Sequence, residues 1–400
     1  MSIIEKAVKM VDVERLYDHI RSLEGIKHVL DSYDVLIQAG HYFEKTLKQY
    51  DINTNKQFFT VEGLKEEFFN VEGLLGEQMD FSNPTLLITS HYDTVYSTPG
   101  ADDNASGVAA TLEVARILSE LDYNKNVIFV SFNLEEFSPT LQKPIRRIGT
   151  QYGVFDEKHR FTSWALKKYA DQYKELIIAS GPAKPFLDKE EWGKFEAEAK
   201  KELKETELEF FKAQNRIFRE SAQDDPFGRS FLLGSYAYSK YAIEKKINIV
   251  GVINLESVGF TSTQHHSQRL PVGTSLDMFK TYNTDQDQMI GNYIAIIGDV
   301  NSQILTNAFF EASQHKSIKL PCACLDVPLN YEGIKQMIPD LLRSDHAPFW
   351  RLGIPAIMVT DTATFRNPYY HTAADTINTL DFPFMKKVCQ ATLATIIKML

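Results

Sequence analysis

The chain has 400 residues, 44% of them hydrophobic and 24% charged, enough apolar material for one large α/β domain or two of ordinary size. No stretch approaches the roughly 20 apolar residues of a membrane span, and a net charge of −10 without a basic run argues against a nucleic-acid partner. The start, MSIIEKAVKMVDVERLYDHI, mixes charges into its apolar residues where a secretory signal would be uninterrupted, so a cytoplasmic location is expected. Three cysteines, Cys322, Cys324 and Cys389, make no disulfide framework, and Cys322 and Cys324 read as strand residues rather than half of a metal site.

Residues 11–49 carry apolar positions at helical spacing with a break at Gly25, which predicts two helices. From Phe58 to Leu75 the aromatic-rich segments FFTVEG and EFFNVEG suggest an antiparallel pair. Leu86–Thr89 reads as a buried strand whose C-terminal end delivers His91 and Asp93. A loop follows, and SGVAATLEVARILSEL is a helix with a stripe at Val108, Leu112, Val114 and Leu118. Val127–Phe132 is a second apolar strand, ending at Glu135 and Glu136. NIVGVINLE, YIAIIGD and IPAIMVTD give three more, ending in Glu256, near Asp299 and just before YYHTAADT.

Strand, helix, strand with polar residues at the strand ends is the α/β arrangement whose sites form at those ends, so the acidic clusters are expected on one edge. The expected fold is a single three-layer α/β domain spanning residues 1–400, with a central mixed, mostly parallel sheet flanked by helices. Residues 138–230 differ, with charged runs such as KKELKETELE and one apolar stripe from Glu190 to Gln223. They read as a helical insertion containing a long charged helix, a lid or an interaction arm through which the protein could form a homo-oligomer.

His91 and Asp93 point the same way on a strand, so Asp93 can orient the imidazole of a metal ligand. Asp102 sits at a loop-to-helix junction, where its two carboxylate oxygens could bridge two cations. Of the adjacent pair Glu135 and Glu136, one can ligate metal while the other faces a bound water and takes its proton, the division a metallohydrolase needs. His265 and His266 read as surface residues. His346 is open between substrate contact and holding its loop, as are Tyr369 and Tyr370 between flanking substrate and packing.

HYDTV, GADDNASGVAATLEVARIL, NLEE, LLGSYAYSKYA, INLESVGF, RSDHAPFWRLGIPAIMVTDT and NPYYHTAADT follow one another in that order. Together they resemble the co-catalytic zinc aminopeptidase family of clan MH, over about residues 75–136 and 230–400. That family includes bacterial leucyl aminopeptidases and glutamate carboxypeptidase-like enzymes, with glutaminyl cyclases as close relatives. The resemblance implies a two-zinc exopeptidase acting on peptides, with cobalt or manganese as possible substitutes. It implies that His91 binds one zinc and Asp102 bridges both, that Glu136 and His371 serve one metal and Glu256 the other, and that Glu135 is the general base. Asp93 and Asp345 would be outer carboxylates, and a cis peptide would join Asp102 and Asp103. Glu256 departs from the family's usual Asp, and the insertion after Glu136 is far longer than usual. The rival expectations are a glutaminyl cyclase-like, one-zinc acyltransferase and a non-catalytic binding protein of the same fold.

Overall fold

Apolar runs without polar alternation, such as LLIT and VIFV, belong to strands buried on both faces, and they form the centre of the molecule. The computed structural model describes residues 2–76, 80–157, 160–180, 186–221, 231–285 and 287–400. Its strands are β1 (Asn53–Thr60), β2 (Glu67–Leu75), β3 (Thr85–His91), β4 (Val127–Phe132), β5 (Ile249–Glu256), β6 (Lys280–Tyr282), β7 (Ile294–Gly298), β8 (Cys322–Asp326) and β9 (Ala356–Thr360). Among the described residues they make one mixed sheet in the order β1-β2-β4-β3-β5-β9-β7-β8-β6. The four central strands β4, β3, β5 and β9 are parallel. Antiparallel pairs flank them, including the expected β1–β2 pair.

In chain order the helices of the first unit are α1 (Ile3–Lys9), α2 (Val13–Leu23), α3 (Tyr33–Gln49) and α4 (Gly107–Glu120). The insertion carries α5 (Gln142–Gln151), α6 (Trp164–Ser180), α7 (Lys189–Ala199) and α8 (Glu205–Ser221). After it come α9 (Leu233–Glu244), α10 (Gln303–Ser313), α11 (Tyr331–Met337), α12 (Ala347–Arg351) and α13 (Phe382–Met399). Ser90 of β3 meets Thr111 of α4 on one face of the sheet. Phe132, paired with His91 and so one residue out of phase, meets Tyr238 of α9 and Phe349 of α12 on the other. The α/β sandwich expected from the sequence is therefore present, with a helical layer on each side. Helix α4 is buried along nearly its whole length rather than along one stripe, because α2, α3 and α13 pack over it.

Two expectations are corrected. Strand β7 runs antiparallel to β9, so Asp299 lies at the opposite edge from the other strand ends, where its carboxylate accepts from Ser302 and Asn301. The stripe from Glu190 is carried by two helices, α7 and α8, not one. Phe195 and Phe211 pack at 5.5 Å between ring centroids, whereas sixteen residues of one continuous helix would separate them by roughly 24 Å. The end of that insertion, residues 222–230, lies outside the described residues.

The chain forms two compact units, Met1–Glu136 with Leu232–Leu400, and Phe137–Phe231. The second has its own core, in which Tyr173 packs against Phe195 and Phe211 while its hydroxyl donates to Asn215 Oδ1 at 2.8 Å. All three cysteines are buried and unpaired, and Cys322 and Cys324 sit on β8 as expected.

Candidate active site

Parallel strands β3, β4, β5 and β9 bring their C-terminal ends to one edge, and the site is assembled there entirely from the first unit. His91 ends β3, and Asp93 follows two residues later. Beyond β4 the chain turns sharply at Leu134, with a positive φ of 57°. The carbonyls of Leu134 and Glu135 accept from Leu233 and Leu232, at 3.0 Å each. That contact needs Gly234, where a Cβ would stand 2.1 Å from the Asn133 carbonyl oxygen. Asp93 completes the junction: its two oxygens accept from the Glu135 and Glu136 amides at 3.0 and 2.9 Å, and one lies 3.3 Å from His91 Nδ1. One carboxylate thus fixes the backbone of both glutamates and stands beside the imidazole.

The carboxylate of Asp103 stands between two imidazoles. Its Oδ1 lies 3.2 Å from His91 Nε2 and its Oδ2 lies 3.0 Å from His371 Nε2. Glu256 approaches His91 Nε2 at 3.4 Å, and Glu136 approaches His371 Nε2 at 2.7 Å. Glu135 presents a ligand atom to the His91 and Glu256 atoms, all within 4.8 Å of one another. Five sequence-predicted residues, His91, Glu135, Glu136, Glu256 and His371, are therefore brought together, with Asp93 and the buried Asp345 behind them.

Asp102 is the exception. Its carboxylate faces away from both imidazoles and accepts from the Gly259 amide at 2.9 Å and from Asn367 Nδ2 at 2.7 Å. It is Asp103, not Asp102, that stands between the two imidazoles. The cis peptide joins Asp103 and Asn104, one residue beyond the expected bond. Asp375 secures this arrangement, its oxygens accepting from the Asp102 and Asp103 amides at 2.8 and 3.2 Å.

Several of these supports carry no spacing signal of their own. Asp375 is one acid in a loop, and Ser344, which donates to Glu256 Oε2 at 2.7 Å, is one serine in RSDHAPF. Behind Ser344 a chain of bonds runs through Asn254 to Thr89 of β3. His346 serves the fold, its Nε2 donating to the Leu341 carbonyl at 2.8 Å while its ring packs edge-on against Trp350. Tyr370 stacks on His371 with ring centroids 3.7 Å apart.

Burial shapes the electrostatics. It drives the Glu135 carboxyl well above its ordinary range, with Glu136 adding to the push, and raises Glu136 to about 7 against the pull of His371. Burial acts the other way on the imidazoles, yet the surrounding carboxylates outweigh it. Glu256 and Glu135 hold His91 well above 6.5, and Glu136 with Asp103 holds His371 at about 9. So many buried carboxylates around two imidazoles call for positive charge at their centre. His91 Nε2 and Asp103 Oδ1 are buried and without a hydrogen-bond partner, although 3.2 Å apart. A buried imidazole nitrogen and a buried carboxylate oxygen left without partners, with a Glu136 ligand atom within 4.8 Å of both residues' ligand atoms, fit coordination of a cation. His91, Asp103, Glu256, Glu136 and His371 are the residues that could hold it.

A cavity of about 80 Å³ opens beside Glu256, Ser344 and Tyr370, with Leu270, Phe279, Ile297, Leu325 and Met358 in its wall and Arg343 in its lining.

Residues 70–317 and 326–396 match the sequence profile of peptidase family M28. YfbL of Escherichia coli (strain K12), an uncharacterized protein, is 23% identical over 388 residues, covering 94% of this chain and 84% of its own. Aminopeptidase YwaD of Bacillus subtilis (strain 168) is 45% identical over 49 residues, 12% of this chain and 11% of that one. Among solved structures, the LapA aminopeptidase of Legionella pneumophila superposes with a TM-score of 0.59 at 14% identity, covering 99% of this chain and 74% of that one. The Bacteroides thetaiotaomicron glutaminyl cyclase gives 0.56 at 14% identity, with 97% and 98% covered, so the fold is common to both kinds of protein. Since the profile covers strands β3 to β7, β9 and every loop that contributes to the carboxylate and imidazole cluster, the chain belongs to peptidase family M28.

Proposed function

We propose that this peptidase is a zinc-dependent aminopeptidase holding two zinc ions. One would face His91, Asp103 and Glu256, the other His371, Asp103 and Glu136, with Glu135 as general base. The observation that carries this reading is the division of one buried carboxylate, Asp103, between two imidazole nitrogens at 3.2 and 3.0 Å. Mixed imidazole and carboxylate donors suit zinc and also accept cobalt or manganese. A metal pair bound there would supply an acidified water and polarise the scissile carbonyl.

The chain's own residues do the rest. Glu136 is engaged by His371, so Glu135 is the carboxylate of the pair in position to take a proton and return it to the leaving amine. Asp93 keeps the backbone of both glutamates in place through its two amide bonds and stands beside the His91 ring. The cavity beside Glu256 favours an apolar side chain on the residue released, because its wall is mostly hydrocarbon.

The test combines metal counting with turnover. Zinc-loaded protein should carry two ions per chain and cleave leucyl and phenylalanyl amides faster than glutamyl or lysyl amides. Glu135→Gln should lower turnover by about 100- to 10,000-fold while both ions stay bound. One ion per chain, with cyclisation of N-terminal glutamine instead of hydrolysis, would turn the reading to the glutaminyl cyclase chemistry. Two ions with no turnover on any aminoacyl amide would turn it to a binding protein.

A further inference from the structure

Lys27 lies between α2 and α3 and is 1% exposed, an unusual place for an ammonium group, which gives up its hydration when buried. Its Nζ donates to three carbonyl oxygens, those of Leu23 and Gly25 at 2.8 Å each and that of Pro99 at 3.1 Å. The Gly25 amide donates to the same Pro99 oxygen at 2.9 Å. The Lys27 backbone is tied as firmly, its amide donating to Thr94 Oγ1 at 2.9 Å and its carbonyl accepting from the Thr94 amide at 3.0 Å.

These bonds fall on both ends of one loop. Thr94 follows Asp93, and Pro99 precedes Gly100, whose positive φ of 66° turns the chain into Asp102 and Asp103. A Cβ at Gly100 would stand 2.4 Å from the Asp103 carbonyl oxygen, so the turn is closely packed against the residue it delivers. Glu24, in the same short segment, accepts from the Ile377 amide at 3.3 Å, just past Asp375. Asp375 is the carboxylate that holds the Asp102 and Asp103 amides. Burial lowers the Lys27 ammonium to about 8, against the opposing pull of Asp375, Asp93, Asp103 and Glu24, and its three carbonyl acceptors call for the three N–H donors of the charged form.

We propose that Lys27 is a positioning residue for the metal centre, an internal cation that clamps the loop from Asp93 to Asp103 and thereby sets the bridging carboxylate between His91 and His371. The inference rests on the reading of Asp103 as the bridge. Lys27 touches neither imidazole and acts through the Pro99 carbonyl. Outer partners of this kind typically contribute a factor of about 10 to 100 in metal affinity.

The experiment compares wild type with Lys27→Met, which keeps the length of the side chain and removes its charge and donors. Metal-free protein is titrated with zinc against a competing chelator, and the visible spectrum of the cobalt-substituted protein is recorded. With circular dichroism unchanged, zinc affinity should fall by about 10- to 100-fold and the cobalt bands should shift. Wild-type affinity with an unaltered cobalt spectrum would overturn the proposal. If the metal-free variant does not fold, it is refolded in saturating zinc: loss of zinc to the chelator about 10- to 100-fold faster than from wild type supports the clamp, and wild-type release, or failure to fold even in zinc, assigns Lys27 to general stability and overturns it. The wild-type arm separates the two readings. Two bound zinc ions without peptide cleavage would remove the aminopeptidase reading and leave Lys27 standing, whereas wild type that takes up no zinc would remove the metal centre and the clamp together.

Discussion

Asp102 and Asp103 are chemically identical neighbours with opposite duties, and substitution should separate them. Asp103→Asn should lose metal and activity together, because a carboxamide cannot offer two anionic oxygens to two cations. Asp102→Asn should keep both ions and lose about 1 to 3 kcal/mol of stability, the usual consequence of an unmatched buried polar group. The vulnerable contact is the bond from Asn367 Nδ2 at 2.7 Å, which would meet an amide instead of an oxygen. Metal analysis and urea denaturation of the two variants check this directly. The residue pattern GADDNASG could mark the acidic run as a site without settling which acid stands between the imidazoles. That choice depends on how the backbone turns between Gly100 and Gly107, with Asp103 and Asn104 outside helical geometry, and a string of residue types does not encode that turn. Ser344 and Asp375 were illegible for a related reason: each acts through one hydrogen bond or pair of bonds that only the folded loops create.

At the level of elements, apolar run length revealed the central strands, because a strand covered on both faces must be hydrophobic throughout. The direction of β7 was not available by the same route, since IAII reads alike whichever way the strand is laid beside β9. The break between α7 and α8 was hidden because a helical stripe continues in phase across Lys200–Lys204 while the chain itself reverses. The clearest mechanical demand between elements is at Gly234, where α9 begins against the end of β4. Gly234→Ala should destabilise the fold by about 1 to 3 kcal/mol, as overpacking commonly does. It should also reduce turnover, since the displaced strand end carries Glu135 and Glu136. Denaturation midpoints and kcat on one aminoacyl amide measure both effects, and a silent substitution would mean that the junction yields without moving the glutamates.

Across the whole molecule, the two units carry separate hydrophobic cores. Phe195→Ala should cost about 3 to 5 kcal/mol in the smaller one and leave zinc affinity unchanged, as calorimetry and a chelator titration would reveal. A pH dependence belongs to the larger unit. Burial holds His19 and His346 at about 4, below the roughly 6.5 of an unfolded chain. Between those values the unfolded chain binds more protons, so the stabilising contribution is complete above about 6.5 and declines as pH falls toward 4. Each histidine contributes a slope of up to about 1.4 kcal/mol per pH unit. His19, bonded to the hydroxyls of Tyr42 and Tyr50, is the accessible test. His19→Gln should give a shallower loss of urea resistance from pH 6.5 to 5 than wild type, and equal slopes would contradict the assignment.

The groups that converge on the proposed metals are scattered along the chain, from His91 through Asp103, Glu136 and Glu256 to His371. During biosynthesis the first imidazole is made long before the second, so a growing polypeptide cannot complete the centre until its last loop has emerged. Nascent chains halted before His371 should therefore fail to retain two zinc ions through gel filtration, and chains released just beyond Asp375 should still lack the closing layer that α13 provides. Zinc loading would then be a late event in the life of this protein, a checkpoint on finished chains rather than a seed for folding.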